Sequence, residues 1–190
     1  MTATVRTLPH YFPEIFVNRI IISAIAFAVF CVLSVILYRR RVFDKLQLNA
    51  AILLSLYIVV LIYLTVVGRY SHEEYEYRIY VFRSYGRLLE SFDRQSIEQI
   101  VINLLMLIPV GFLLSVIIRG KGKYIIVSVL CLLLTICIEI MQLLMKCGSF
   151  ETDDIANNLI GAVIGILLYA LVHWITHRNV YKGKHYEQRK

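Results

Sequence analysis

Charged residues are scarce in this chain. They make up 17% of the 190 residues, while hydrophobic residues make up 59%, and the mean hydropathy is +0.70. A soluble domain of this length rarely contains so little charge. Several apolar runs reach the roughly 20 residues that a helix needs to cross a bilayer. The composition therefore indicates an integral membrane protein with one helical domain and no separate soluble domain.

Cysteine is also sparse, and its spacing disfavours the usual cysteine-based sites. The 4 cysteines form no CxxC or CxxxH pattern, and Cys31, Cys131 and Cys137 lie inside apolar runs. A zinc site and a disulfide framework are therefore both disfavoured. Small apolar side chains that fill space between helices are the preferred interpretation. We predict no metal and no cofactor.

The basic residues are few but clustered. The formal net charge is +7, and the basic residues concentrate in residues 39–41, 119–123 and 178–190. Each cluster lies beside an apolar run, which is the positive-inside pattern of membrane proteins. We therefore predict no nucleic-acid partner.

Five apolar segments predict five transmembrane helices, at about residues 17–38, 48–67, 97–118, 124–145 and 155–176. With five spans, both basic loops and the basic tail fall on one side of the membrane. The positive-inside rule makes that side cytoplasmic. The predicted fold class is an all-α five-span transmembrane helix bundle, with the N-terminus outside and the C-terminus cytoplasmic. The predicted location is the cell membrane, as a multi-pass protein.

The longest outer connection, residues 68–96, is rich in tyrosine and in charges of both signs. Alternation from Tyr75 to Val81 predicts an extended piece. Leu88, Leu89 and Phe92 predict a short amphipathic helix at the membrane interface. Two interpretations stay open, an aromatic belt resting on lipid headgroups and a lid over a site.

Polar side chains gather in the outer half of spans three and four. Asn103 lies in the outer third of span three, and Glu139 shares one face of span four with Gln142. Polar groups at membrane depth usually face the bundle interior or a site. A buried carboxyl must be paired, protonated or hydrated, so Arg69, at the outer end of span two, is a candidate partner for Glu139.

Span five begins with two carboxylates. Asp153 and Asp154 can cap free backbone N–H groups at the start of a helix. Asn158 follows Asp154 by one turn, so it lies on the same stripe; an interhelical hydrogen bond is the alternative role for such an amide. The predicted ligand-binding residues are Arg69, Asn103, Glu139, Gln142, Asp153, Asp154 and Asn158.

Small residues and a proline predict where helices approach one another. Gly161 and Gly165 form a GxxxG pattern, which permits close helix contact and a possible homodimer. Pro109 removes a backbone hydrogen bond near the middle of span three, and Gly111 follows it. We assign these four residues to helix packing.

These motifs, in this order, resemble the VanZ-like membrane protein family. The similar segments are Thr65-Val-Val-Gly-Arg69, Phe82-Arg83-Ser84-Tyr85, Asn103 followed by Pro109-x-Gly111, Glu139-x-x-Gln142, and Asp153-Asp154 followed by Asn158, Gly161 and Gly165. They cover about residues 50–170. The resemblance implies a link to glycopeptide resistance, especially toward teicoplanin-type antibiotics. It divides the chain into a lead, first span and basic loop (1–47), a VanZ-like transmembrane domain (48–177) and a basic tail (178–190).

Three functions stay open. The first is binding of a lipid or lipid-linked wall precursor in an outer-leaflet polar pocket. The second is a membrane-embedded hydrolase or transferase, with Glu139 as candidate base and the two aspartates on a divalent cation. The third is a small proton-linked transporter. No histidine and no nucleophile motif lies near the cluster, so no catalytic residue is assigned and the interpretation leans away from an enzyme.

Overall fold

The computed structural model describes residues 12–67, 77–78, 85–86 and 94–187. Within these ranges the chain is almost entirely helical, which confirms the predicted all-α class. Two short strands, β1 and β2, pair in parallel. The elements are α1 (Phe12–Arg39), α2 (Lys45–Ile62, continued by a π-helical stretch, Tyr63–Val67), β1 (Tyr77–Arg78), α3 (Arg94–Ile117), α4 (Lys123–Leu144), β2 (Phe150–Glu151) and α5 (Thr152–Glu187).

Four helical segments are long and apolar enough to cross a bilayer, namely Lys45–Val66, Ser96–Ile117, Lys123–Leu144 and Thr152–Thr176. They coincide with predicted spans two to five. Their outward faces carry large exposed apolar side chains, as expected of surfaces that contact lipid. Within α1, the apolar stretch Ala24–Arg39 is shorter than a full span. A crossing by α1 therefore stays a prediction.

The closest contact in the bundle is between α3 and α5. A Cβ added to Gly161 would lie 2.0 Å from the carbonyl oxygen of Leu104. The corresponding distances for Gly111 and Gly165 are 2.2 and 2.1 Å, again to backbone carbonyl oxygens of the opposite helix. The two backbones can approach this closely because neither helix presents a side chain at these points. Gly161 and Gly165 already pack against α3 of the same chain, and homodimerization through them stays a prediction.

The other helices assemble around this pair. α2 packs against α3, α1 packs against α2, and α4 contacts both α3 and α5. α3 continues through Pro109 to its end at Ile117. The buried apolar core includes Leu54, Leu61, Leu107, Val110, Val127, Cys131, Ile138 and Ala162.

Both basic loops lie at the same end of the bundle. Asp44 and Gln47 form a capping box at the start of α2, with hydrogen bonds of 2.8 and 3.0 Å. The Gln47 side chain also donates from Nε2 to the carbonyl oxygen of Ile117, at 2.6 Å, across to the end of α3. Arg119 forms an ion pair with Asp44. The loops after spans one and three thus share one side, and the assignment of that side to the cytoplasm stays a prediction.

Replacing Gln47 with glutamate is expected to lower the melting temperature of the purified protein. A glutamate still accepts the Asp44 N–H, but as a carboxylate it cannot donate to the Ile117 carbonyl. Loss of a partner by a buried polar group costs about 1–3 kcal/mol. Asn49→Asp makes the same chemical change at an exposed position of α2 and should leave the melting temperature nearly unchanged. Equal melting temperatures for Gln47→Glu and the parent would contradict this role.

Candidate functional site

Polar side chains concentrate at the end of the bundle opposite the basic loops. The starts of α3 and α5, the end of α4 and the π-helical stretch after α2 meet there. Buried polar residues are unusually dense in this region, and they include Thr65, Asn103, Thr135, Glu139, Gln142, Glu151, Asp153, Asn157 and Asn158. This end contains the candidate site.

Glu139 is the most deeply placed carboxylate of the site. Its side chain is 2% exposed. Its Oε2 atom accepts a hydrogen bond from the backbone N–H of Glu151, at 3.1 Å. Because Glu151 belongs to β2, this bond ties α4 to the turn that precedes α5. The side chain therefore contributes to local folding and brings a carboxyl group into the site.

Gln142 lies one turn after Glu139 and is also buried. Its Nε2 atom donates to the carbonyl oxygen of Thr65, at 3.1 Å. Thr65 lies in the π-helical stretch Tyr63–Val67, where the backbone departs from α-helical pairing. π-helical turns of this kind are frequent at functional sites. Gln142 thus joins α4 to the end of α2.

A second group of polar side chains links α3 to the start of α5. The Gln99 Nε2 atom lies 3.0 Å from Glu151 Oε2 and 3.2 Å from Asp154 Oδ1, and it donates to both carboxylates. Ser149 donates from Oγ to Glu151 Oε1, at 2.6 Å. From the sequence, Asp154 was predicted as a ligand-binding residue, whereas Gln99 and Glu151 were not. Gln99 precedes Asn103 by one helical turn, and that spacing is the signal that identifies it.

Three buried amide atoms have no hydrogen-bond partner in the described part of the chain. They are Asn103 Nδ2, Asn157 Nδ2 and Asn158 Oδ1. The other ends of two of these side chains are engaged: Asn158 Nδ2 donates to Thr135 Oγ1 at 2.8 Å, and Tyr85 donates to Asn157 Oδ1. Buried polar groups are nearly always bonded, so an unbonded one calls for a water, an ion or a ligand.

Two adjoining cavities open onto this cluster, and they share Ile102, Asn103 and Asp154. The larger, of about 340 Å³, is lined by Tyr57, Leu64, Thr65, Ile102, Asn103, Leu105, Met106, Glu139, Gln142 and Asp154. The smaller, of about 290 Å³, is lined by Glu98, Gln99, Ile102, Asn103, Ser149, Glu151 and Asp154. The larger cavity has an apolar wall, and the smaller one is mainly polar.

The apolar wall lies on the outer surface of the bundle. Leu64, Ile102 and Leu105 are 64%, 60% and 59% exposed. They belong to the end of α2 and to α3, so the larger cavity opens sideways between these helices toward the lipid. The smaller cavity continues from it to the end of the bundle. Together they form a path from a lipid-facing surface to a polar chamber.

Four predicted site residues line this path, namely Asn103, Glu139, Gln142 and Asp154. Asp153 and Asn158 are buried in the adjacent turns of α5 and line neither cavity. Arg69 and the predicted amphipathic helix at residues 88–92 lie outside the described residues, and β1 falls within the predicted extended piece. Among the described residues, no three His, Cys, Asp or Glu side chains are placed to hold a metal ion.

Comparison with known proteins gives a family for this arrangement. The sequence profile of the VanZ/LLP1 family matches residues 50–173, a range that contains every described residue lining the two cavities. The chain is 26% identical over 148 residues to Protein VanZ of Enterococcus faecium, an alignment that covers 73% of this chain and 78% of that protein. No solved structure matches.

Proposed function

The chain belongs to the VanZ/LLP1 family, and we propose that it contributes to resistance against teicoplanin-type glycopeptides by binding a lipid or a lipid-linked wall precursor. In this proposal the ligand occupies the two adjoining cavities at the polar end of the bundle. That end faces the outer leaflet, in agreement with the position of the basic loops at the opposite end. Bound there, the protein changes how a lipid-tailed antibiotic reaches its target.

The observation that carries the proposal is the unpartnered Nδ2 donor of Asn103. This residue is buried, and it lines both cavities at their junction. An unmade hydrogen bond at such a position costs about 1–3 kcal/mol. A sugar hydroxyl, a peptide carbonyl or a phosphate oxygen of a ligand would accept this donor and remove the penalty.

The chemistry of the path supports an amphiphilic ligand. An acyl or prenyl chain fits the sideways opening lined by Leu64, Ile102 and Leu105, because these apolar side chains are exposed on the outer surface of the bundle. The polar chamber beyond it offers the carboxylates of Glu151 and Asp154 to hydroxyl and amide donors. A lipid-linked precursor combines these two parts in one molecule.

Replacing Asn103 with leucine is expected to abolish protection against teicoplanin while leaving the protein at least as stable as the parent. The two shapes are similar, and the lost donor had no partner in the described bundle, so its removal carries no folding penalty. Teicoplanin susceptibility at matched membrane abundance, together with the melting temperature, tests both halves of the expectation.

The matched control is Asn49→Leu, the same substitution at an exposed position near the basic end. It should retain full protection. Binding is measured directly with a fluorescent undecaprenyl-linked wall precursor added to the purified protein, and Asn103→Leu should weaken it about tenfold, the equivalent of one lost hydrogen bond. Full protection by Asn103→Leu would exclude the site.

The position of Glu139 favours one second candidate, a membrane-embedded hydrolase or transferase. This carboxylate lines the larger cavity, with Oε2 held by the Glu151 N–H. A carboxylate fixed beside a substrate cavity is suited to act as a general base. Lipid and precursor profiles of cells with and without the protein separate the two candidates, since a binding protein leaves the set of chemical species unchanged.

A further inference from the structure

A separate cavity lies at the basic end of the bundle. Its volume is about 480 Å³, and its polar lining consists of Tyr38, Arg39, Arg41, Asp44 and Arg119. Arg39 is the last residue of α1, Arg41 lies in the loop after it, and Arg119 lies in the loop after α3. The fold thus brings arginines from the end of α1 and from two loops to one cavity, whereas neighbouring basic residues such as Arg40 and Lys121 lie outside its lining.

The backbone after α1 sets the direction of Arg41. Its φ is +60°, in the left-handed region that favours glycine. The chain reverses here through hydrogen bonds from Arg41 N–H to Tyr38 O and from Val42 N–H to Leu37 O, each of 3.0 Å. This reversal closes α1 and places Arg41 on the cavity side, while Arg40 points elsewhere.

The cavity carries an excess of positive charge. Arg119 is paired with Asp44, the one carboxylate among its lining residues. The side chains of Arg39 and Arg41 form no ion pair in the described part of the chain. The same surroundings act on Asp44: the Gln47 N–H and the Arg119 guanidinium hold the pKa of this carboxyl below its usual 3.8, so it is ionised at neutral pH. Three arginines and one carboxylate therefore line the cavity, and only Arg119 is paired with that carboxylate.

The cavity also borders an apolar surface. Val42 and Phe43 complete its lining, and Leu33 and Ile36 are exposed on the last turns of α1. A ligand here meets guanidinium groups at one end and a lipid-facing surface at the other. Arginine binds phosphate oxygens through two parallel hydrogen bonds. Basic pockets between transmembrane helices are suited to anionic lipid headgroups.

We propose that this cavity binds the phosphate of an anionic phospholipid in the leaflet at the basic end of the bundle. Arg39 and Arg41 bind the phosphate oxygens, and Arg119, held by Asp44, lies at the edge. The acyl chains run along the exposed face of α1. The bound lipid connects the loop after α1 to the loop after α3 and stabilises the bundle, independently of the proposed function at the other end.

The test compares phosphatidylglycerol with phosphatidylcholine, each added in the same detergent to the purified full chain. Phosphatidylglycerol should raise the melting temperature in a saturable manner, and phosphatidylcholine should have little effect. Arg41→Asn retains a residue that tolerates the left-handed backbone, and Arg39→Gln leaves that backbone untouched. Each should weaken phosphatidylglycerol binding about tenfold, the equivalent of one lost hydrogen bond to a charged group.

Arg40→Gln is the matched control. It removes one positive charge between Arg39 and Arg41, and Arg40 does not line the cavity. It should bind phosphatidylglycerol like the parent. Equal weakening by all three substitutions would reveal only general attraction to a basic surface and would overturn the proposal. So would stabilisation by inorganic phosphate equal to that by phosphatidylglycerol, because the site would then accept free phosphate without a lipid.

Discussion

Replacing Gly161 with alanine is expected to prevent the protein from accumulating in its folded form. The added Cβ would lie 2.0 Å from the carbonyl oxygen of Leu104 in α3. A backbone oxygen cannot rotate away as a flexible side chain can, so α3 and α5 must separate along their contact. Overpacking of this kind typically costs about 1–3 kcal/mol, and we expect the upper part of that range or more, because the obstruction is backbone.

Membrane abundance and the melting temperature in detergent measure this effect. Gly86→Ala is the control, because no atom lies within 4 Å of the position that its Cβ would occupy. It should behave like the parent. Gly111→Ala, which obstructs the same interface from α3, should be as harmful as Gly161→Ala. A Gly161→Ala protein with the parent's melting temperature would contradict the observed packing.

Gly161→Ala also distinguishes two roles for Gly161 and Gly165, namely contact with a second copy of the chain and contact with α3 of the same chain. If Gly161 and Gly165 contacted only a second copy of the chain, alanine would change the oligomeric state and leave the monomer stable. Packing against α3 predicts instead that the monomer itself is destabilised. Size-exclusion chromatography coupled to light scattering, run beside the melting measurement, distinguishes these outcomes.

The membrane-spanning elements were largely predictable from the sequence. Spans two to five follow from uninterrupted apolar runs, because a helix in lipid must satisfy its backbone hydrogen bonds internally. The GxxxG pattern predicts close approach by some helix, but it does not identify α3 as the neighbour. The extension of α5 to Glu187 was missed, because the residues after Thr176 are polar and were assigned to a tail, although polar residues can continue a helix in water.

The site residues were predictable where the depth of each residue along its span is enough to place their side chains close together. Asn103, Glu139 and Gln142 were grouped because each lies near the same end of its span. Glu151 was missed because it lies in a turn, where no periodicity relates sequence position to direction. The π-helical stretch Tyr63–Val67 has no signal such as a proline or glycine, so the exposure of the Thr65 carbonyl to Gln142 was not foreseeable.

Asn157 shows a further limit of reasoning from helix faces. The stripe from Asp154 to Gly161 selects Asn158 and leaves Asn157 on another face. In the structure both side chains are 0% exposed, because α3 and α4 pack on different sides of α5. A helix enclosed by several neighbours has more than one buried face, so a single stripe of residues along one face identifies only part of its buried surface.

Replacing Glu139 with glutamine is expected to eliminate protection against teicoplanin while the protein remains folded. The amide oxygen of glutamine can still accept the Glu151 N–H, and the side-chain volume is nearly the same. The negative charge is lost, and hydrogen bonds to a charged acceptor are about twice as strong as those to a neutral one. Affinity for the labelled wall precursor should therefore fall about tenfold or more.

Glu139→Leu is the companion variant, because it removes the acceptor as well as the charge. The Glu151 N–H is then buried without its partner, at a cost of about 1–3 kcal/mol, so this variant should lose both stability and protection. The contrast assigns the carboxyl group to function and the hydrogen bond to folding. A stable Glu139→Gln protein with full protection would remove Glu139 from the site. A variant that binds the precursor normally yet fails to protect would favour the enzyme, because a general base is needed for turnover and not for binding.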